Sequence, residues 1–123
     1  MTPPRILVVE DDRTTLLLLS QTLRRAGYAV VTAQDAVQAL MQAQREPPDL
    51  VVTDLHMPAG GGLGVVERLR LSVRTNGIPI IALTASDDPD MEQRALAGGV
   101  DRFFRKPCVP ELLLGAIREL IGR

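Results

Sequence analysis

The sequence predicts an α/β domain: a doubly wound parallel sheet with helices packed on both faces. Short apolar runs alternate with longer stretches of helical period, five times along the 123 residues. Most of the runs are continuous rather than alternating in polarity, as strands buried on both faces must be. Parallel neighbours then require right-handed crossovers.

Each element has its own signal. Ile6–Val9 is the first run; it meets Glu10-Asp11-Asp12 and then a helix from about Arg13 to Ala26. Leu16, Leu19, Leu23 and Ala26 share one face of that helix, and Gly27 stands at its stop. Tyr28–Thr32 is a β-branched second strand, and Asp35–Arg45 a second helix with Ala36, Ala39, Leu40 and Ala43 inward. Pro47-Pro48 ends it, since proline lacks an N–H and restricts the residue before it. Leu50–Thr53 is the third run, closed by Asp54. A loop from Leu55 to Gly62 leads to a helix near Leu63–Val73, with Asn76-Gly77 marking its exit. Ile78–Leu83 is the fourth strand, with Pro79 near its start, where a missing donor is tolerated. Asp88–Ala97 is a helix stopped by Gly98-Gly99, and Asp101–Phe104 a short fifth strand. Pro110, at a favoured first-turn position, opens a last helix to about Ile121. No linker, repeat or low-complexity tract interrupts the chain, so residues 1–123 read as one domain.

Composition excludes several classes of function. A formal net charge of −1 creates no global field toward nucleic acid or anionic lipid. Tyr28, Phe103 and Phe104 are the only aromatic residues, too few for stacking on bases, so direct nucleic-acid binding is not expected. Cys108 is alone, which rules out an intrachain disulfide. No uncharged stretch approaches the ~20 apolar residues of a membrane span, and the first apolar run lacks the features of a signal peptide. A cytoplasmic location is expected.

The residues that immediately follow the strands carry chemistry. Glu10, Asp11 and Asp12 follow the first, Asp54 ends the third, Thr84 ends the fourth and Lys106 follows the fifth. In a doubly wound sheet, ligands bind beyond the carboxyl ends of the strands at the switch point. Carboxylates crowded there repel unless a cation joins them, and hard oxygen ligands suit Mg²⁺. A lysine and a threonine add donors for the equatorial oxygens of a transferring phosphoryl group, and a carboxylate can be its nucleophile.

Four segments, Ile6-Leu7-Val8-Val9-Glu10-Asp11-Asp12, Val51-Val52-Thr53-Asp54-Leu55-His56-Met57-Pro58, Ile80-Ile81-Ala82-Leu83-Thr84-Ala85 and Lys106-Pro107, occur in order. In content, order and spacing they resemble the motifs of response-regulator receiver domains of two-component signalling, over essentially the whole chain. The resemblance implies a flavodoxin-like five-stranded sheet of order 2-1-3-4-5 with five helices. It implies that Asp54 is the phosphoacceptor and that Glu10 and Asp11, with Asp54 and the backbone carbonyl of His56, hold Mg²⁺. Thr84 and Lys106 would contact the phosphoryl group, Phe103 would be the aromatic switch residue, and the bond before Pro107 would be cis. The donor would be a histidine kinase or a histidine phosphotransfer protein. A downstream protein would read the surface of the fourth helix, fifth strand and last helix. Such a domain catalyses its own phosphorylation and slow dephosphorylation, and is a switch rather than a metabolic enzyme.

Some features have plainer readings. Asp12 falls one position past the acidic pair and reads as a helix start. Gly60-Gly61-Gly62 lacks the Gly-Lys-Ser/Thr of a P-loop and departs from the single glycine usual in the family. Cys108 reads as a small apolar filler. An aspartate-nucleophile Mg²⁺ phosphatase would place its nucleophile after the first strand, whereas the spacing here favours Asp54. A module that keeps the fold without phosphorylation would not need the full residue set. On the first helix, Leu17 falls opposite the core face among Arg13, Gln21 and Arg24, with Leu18 at the margin. Because the family docks through this helix, Leu17 is a candidate partner contact. Met1 lies shortly before the first strand and Arg123 right after the last helix, so a stand-alone receiver is expected in preference to one excised from a hybrid kinase or larger regulator.

Overall fold

The computed structural model describes residues 2–57 and 61–122. Its elements are β1 (Arg5–Val9), α1 (Arg13–Arg25), β2 (Ala29–Ala33), α2 (Ala36–Arg45) and β3 (Leu50–Asp54), then α3 (Gly61–Leu71), β4 (Ile80–Thr84), α4 (Met91–Ala97), β5 (Arg102–Arg105) and α5 (Pro110–Ile121). The five strands form one parallel sheet in the order β2-β1-β3-β4-β5, as expected. Pro58 and Gly60, within the loop read from the sequence, lie outside the described residues; Gly61 and Gly62 open α3.

Alternation along each strand divides the core in two. Leu7, Val9, Val51, Ile80 and Ala82 face one side, where they pack with Ala39 and Ala43 of α2, Val65, Val66 and Leu69 of α3 and Ala95 of α4. Ile6, Val8, Leu50, Val52, Ile81 and Leu83 face the other, against Leu16 and Leu23 of α1 and Leu113, Ala116 and Ile117 of α5. Continuous apolar runs are thus the two sides of a central sheet read together.

The helix ends follow local chemistry. Asp12 caps α1, its carboxylate accepting the Thr15 N–H at 2.9 Å, and Asp35 caps α2 through the Gln38 N–H at 2.8 Å. Gly27 takes φ +101°, the left-handed turn that releases the chain from α1 into β2. Strands β1, β2 and β5 shift by one residue at one or both ends and α3 begins at Gly61, inside the loop read as running to Gly62, and three further boundaries differ for local reasons. α4 begins at Met91, not Asp88, because Pro89 disfavours helical geometry at Asp88, whose carboxylate instead accepts the Asp90 N–H at 2.9 Å. α3 stops at Leu71, where the Thr75 hydroxyl donates to the Leu69 carbonyl at 2.7 Å. β4 starts only after Pro79, which has no N–H for the ladder but whose carbonyl accepts the Val51 N–H at 2.9 Å.

At the amino ends of β4 and β5 a single guanidinium gathers three chain segments. Arg70, from α3, donates to the carbonyls of Asn76 (3.0 Å), Ile78 (2.7 Å) and Gly99 (2.7 Å) and to the Asp101 carboxylate (3.1 Å). The same Asp101 oxygen accepts the Ile80 N–H at 2.8 Å. Gly99 has φ +113°, and a Cβ there would come within 2.9 Å of the Arg70 side chain. Glycine is required twice over at this position.

Candidate functional site

The register brings the candidate residues together at the carboxyl ends of the strands. Val9 pairs with Thr53, so the next residues, Glu10 and Asp54, leave the sheet side by side. Asp54 pairs with Leu83, and Thr84 with Arg105, so Thr84 and Lys106 follow one step later on their strands. Continuing the alternation, Glu10, Asp54 and Lys106 fall on the side of α1 and α5. Thr84, Phe103 and Arg105 fall on the side of α3 and α4.

The contacts agree with that division. Lys106 Nζ is ion-paired with Glu10 Oε1 and with Asp54 Oδ2, the latter at 3.3 Å. Asp54, only 6% exposed, also accepts the His56 N–H on Oδ1 at 2.9 Å. That bond fixes the carboxylate plane and turns its other oxygen into the pocket. Glu10 is 1% exposed and accepts the Asp12 N–H at 3.2 Å on its second oxygen. Carboxylate oxygens of Glu10, Asp11 and Asp54 all lie within 4.8 Å of one another. Three acids thus crowd together, two of them paired with the Lys106 ammonium.

The electrostatics show the imbalance. Burial raises the Glu10 carboxyl above the ordinary glutamate range, and the negative Asp54 adds to this, against the Lys106 and Asp12 hydrogen bonds. Burial alone would lower the Lys106 ammonium, but its bond to Glu10 and the charges of Asp54 and Glu10 outweigh it and raise its pKa. The pocket thus favours a charged Lys106 and disfavours the Glu10 anion. A hard divalent cation fits that donor set.

The remaining candidates occupy clear positions. Thr84 is fully buried, and its Oγ1 accepts the Ser86 N–H at 3.1 Å. His56 contributes backbone to the site while its side chain is exposed, so the imidazole plays no part in the acidic cluster. Phe103 is half-buried against the α2–α4 side of the core. The Lys106–Pro107 bond is cis. Asp12 is occupied in capping α1, as its reading as a helix start expects. Cys108 packs against the α1–α5 side of the core, and burial pushes its thiol pKa up, consistent with a filler and not a nucleophile.

Beside the pocket an apolar groove of about 480 Å³ runs between α1 and the β5–α5 connection. Leu18, Leu19, Leu83, Pro107, Cys108 and Leu113 are among its walls. Leu17 and Leu18 are 53% and 60% exposed, and it is Leu18 that reaches the groove. The sequence reading missed Arg105, whose guanidinium lies 5.2 Å from the Phe103 ring centre and bonds the carbonyls of Ser86 and Asp88. The signal available was its spacing of two from Phe103, which puts both on one strand face.

Comparison with known proteins places these features in a family. The response regulator receiver domain family matches residues 6–118. The transcriptional regulatory protein PrrA of Mycobacterium tuberculosis is 37% identical over 123 residues, covering 100% of this chain and 52% of that protein. The chain thus spans about half the length of the curated relatives it matches. Among solved structures, the chemotaxis protein CheY4 of Vibrio cholerae superposes with a TM-score of 0.90 at 32% identity, over 97% of this chain and 99% of that one. The receiver domain of the sensor histidine kinase PA1611 of Pseudomonas aeruginosa superposes with a TM-score of 0.91 at 28% identity, over 99% and 100% of the two chains. That structure has a magnesium ion coordinated in its active-site cleft.

Proposed function

Since the chain belongs to the response regulator receiver domain family, we propose that it accepts a phosphoryl group on Asp54 from a phosphohistidine in a Mg²⁺-dependent reaction. The donor is a histidine kinase or a histidine phosphotransfer protein. The observation that carries this reading is the convergence of Glu10, Asp11, Asp54 and Lys106 in one pocket, with Asp54 pinned by the His56 amide.

Glu10, Asp11 and Asp54, with the His56 carbonyl, would hold Mg²⁺, and the ion in the PA1611 receiver supports that assignment. Bound there, the ion neutralises charge on the transferring group. The chain's own residues do the rest. An Asp54 oxygen attacks phosphorus in line with the leaving imidazole. The P–O bond forms as the P–N bond breaks, and the electron pair of the broken bond stays on the ring nitrogen. Lys106 already sits on Asp54 and can donate to a phosphoryl oxygen. Thr84 accepts one bond and keeps its own O–H to donate to another. The acyl phosphate hydrolyses slowly and regenerates Asp54, so the domain acts as a switch. Phosphorylation draws Thr84 toward the new charge and lets Phe103 turn inward, altering the α4–β5–α5 surface that a downstream protein reads. The domain itself is read as a protein-binding module without a nucleic-acid contact. Among the described residues no helix is long and apolar enough to cross a membrane.

Acetyl phosphate tests the chemistry without a partner. With Mg²⁺ the mass should rise by one phosphoryl group, and chelation of the metal should prevent it. Equal labelling with and without metal would contradict the proposed site.

The donor helix is proposed to lie along α1, where Leu17 and Leu18 are exposed and Leu18 borders the apolar groove next to the pocket. Leu17→Ala should slow transfer from the cognate phosphohistidine protein about tenfold, the scale of a central interface leucine. Leu18→Ala should slow it at least as much, and neither should alter labelling by acetyl phosphate. Equal slowing with both donors would indicate damage to the pocket, and no slowing would move the partner elsewhere.

A further inference from the structure

The contacts of Arg105 tie the aromatic switch position to the loop between β4 and α4. Its guanidinium carbon stands 5.2 Å from the centre of the Phe103 ring. Nη1 donates to the Ser86 carbonyl and Nη2 to the Asp88 carbonyl at 3.1 Å. Both acceptors belong to that loop, which is also bound to the site, since the Ser86 N–H donates to Thr84 Oγ1. Asp88 is held a second time by its carboxylate, 2.9 Å from Arg94 of α4.

We propose that Arg105 is a positioning residue that latches the β4–α4 loop and Phe103 in the unphosphorylated arrangement. The proposal rests on Asp54 being the phosphoacceptor. Arg105 is rooted on β5, whereas both carbonyls it holds belong to the loop that follows Thr84 and is bonded to its hydroxyl. The loop cannot follow Thr84 toward a phosphoryl group without lengthening or breaking these charge-assisted bonds. A ligand shifts such an equilibrium only by its differential affinity for the two states, so the cost of release is subtracted from phosphoryl binding. Arginine suits the role because one planar fork can face a ring while its separate nitrogens serve two carbonyls; a lysine ammonium gathers its donors on one nitrogen and lacks that spread.

The test uses beryllofluoride with Mg²⁺ as a non-covalent stand-in for the phosphoryl group, titrated into the wild-type chain, Arg105→Ala and Arg105→Lys. Arg105→Ala should bind about fivefold or more tightly than wild type, at the lower end of ordinary coupling between sites. Its ligand-free Phe103 ring and Thr84 amide NMR signals should lie displaced toward their beryllofluoride-bound positions, with Arg105→Lys between the two. Unchanged or weaker binding by Arg105→Ala, with those ligand-free signals unmoved, would overturn the latch. A lower melting temperature without tighter binding would overturn it too, by showing a merely structural role. If wild type itself fails to bind beryllofluoride with Mg²⁺, the phosphoacceptor reading falls and the latch falls with it.

Discussion

Asp54→Asn, incubated with acetyl phosphate and Mg²⁺, should gain no phosphoryl group, a loss of at least about a hundredfold against wild type. The amide matches the carboxylate in shape but offers no anionic oxygen for attack on phosphorus. The fold should survive the change. Asp54 is one of three clustered acids and one of two paired with Lys106, and its neutralisation leaves the Glu10–Lys106 pair in place while removing a repelling charge. The melting temperature of the metal-free variant should therefore equal or exceed that of wild type. On the wild-type protein the label should persist in acid and be lost in base, as an acyl phosphate is. Intact-mass measurement and thermal unfolding check both expectations. Robust labelling of Asp54→Asn on another residue would remove Asp54 from the centre of the mechanism.

Asp11→Ala should lower Mg²⁺ affinity by about tenfold or more, with the phosphorylation rate at limiting Mg²⁺ falling in step. Asp11 is the exposed member of the acidic trio, so its truncation opens no core cavity and takes away a repulsive neighbour. Saturating Mg²⁺ should restore much of the rate, which a misfolded pocket could not do. Thermal shift supplies an independent readout. A ligand that binds only the folded state stabilises it by about 2.7 kcal/mol at a hundredfold excess over its dissociation constant. Wild type should show that rise at a Mg²⁺ concentration where Asp11→Ala shows little. Normal phosphorylation of Asp11→Ala at limiting Mg²⁺ would mean the ligand set is wrong.

Strand identity and strand ends were legible because continuous apolar runs have one interpretation when helical stretches separate them. From strand ends alone, Glu10, Asp54, Thr84 and Lys106 could be assigned to one rim of the sheet, and the register bears this out. Boundaries set by a side chain's local bonds were less legible. The start of α4 depends on what the Asp88 carboxylate does beside Pro89, and the end of α3 on where the Thr75 hydroxyl donates. Contacts that need three segments to meet were not legible at all. The chain position of Arg70 gives no hint that carbonyls 6, 8 and 29 residues away close around it. For Arg105 the strand face could be read, but not the loop that folds back over it.

The Arg70 cluster gives β4 and β5 the mechanics of a reed clamped at its root. Side-chain bonds from Arg70 and Asp101 hold the amino ends of both strands, while at their carboxyl ends the Lys106 N–H meets the Thr84 carbonyl at 2.8 Å and Arg105 spans from β5 to the loop after β4. If the proposed switch moves Thr84 and Phe103, this base favours a bend that is largest at the rim and fades within the four or five residues of each strand. A strand free to slide would carry its motion through to the far side of the domain. A clamped one would confine it to the rim and to the helices packed there, so the proposed signal would leave on the side where it arrived.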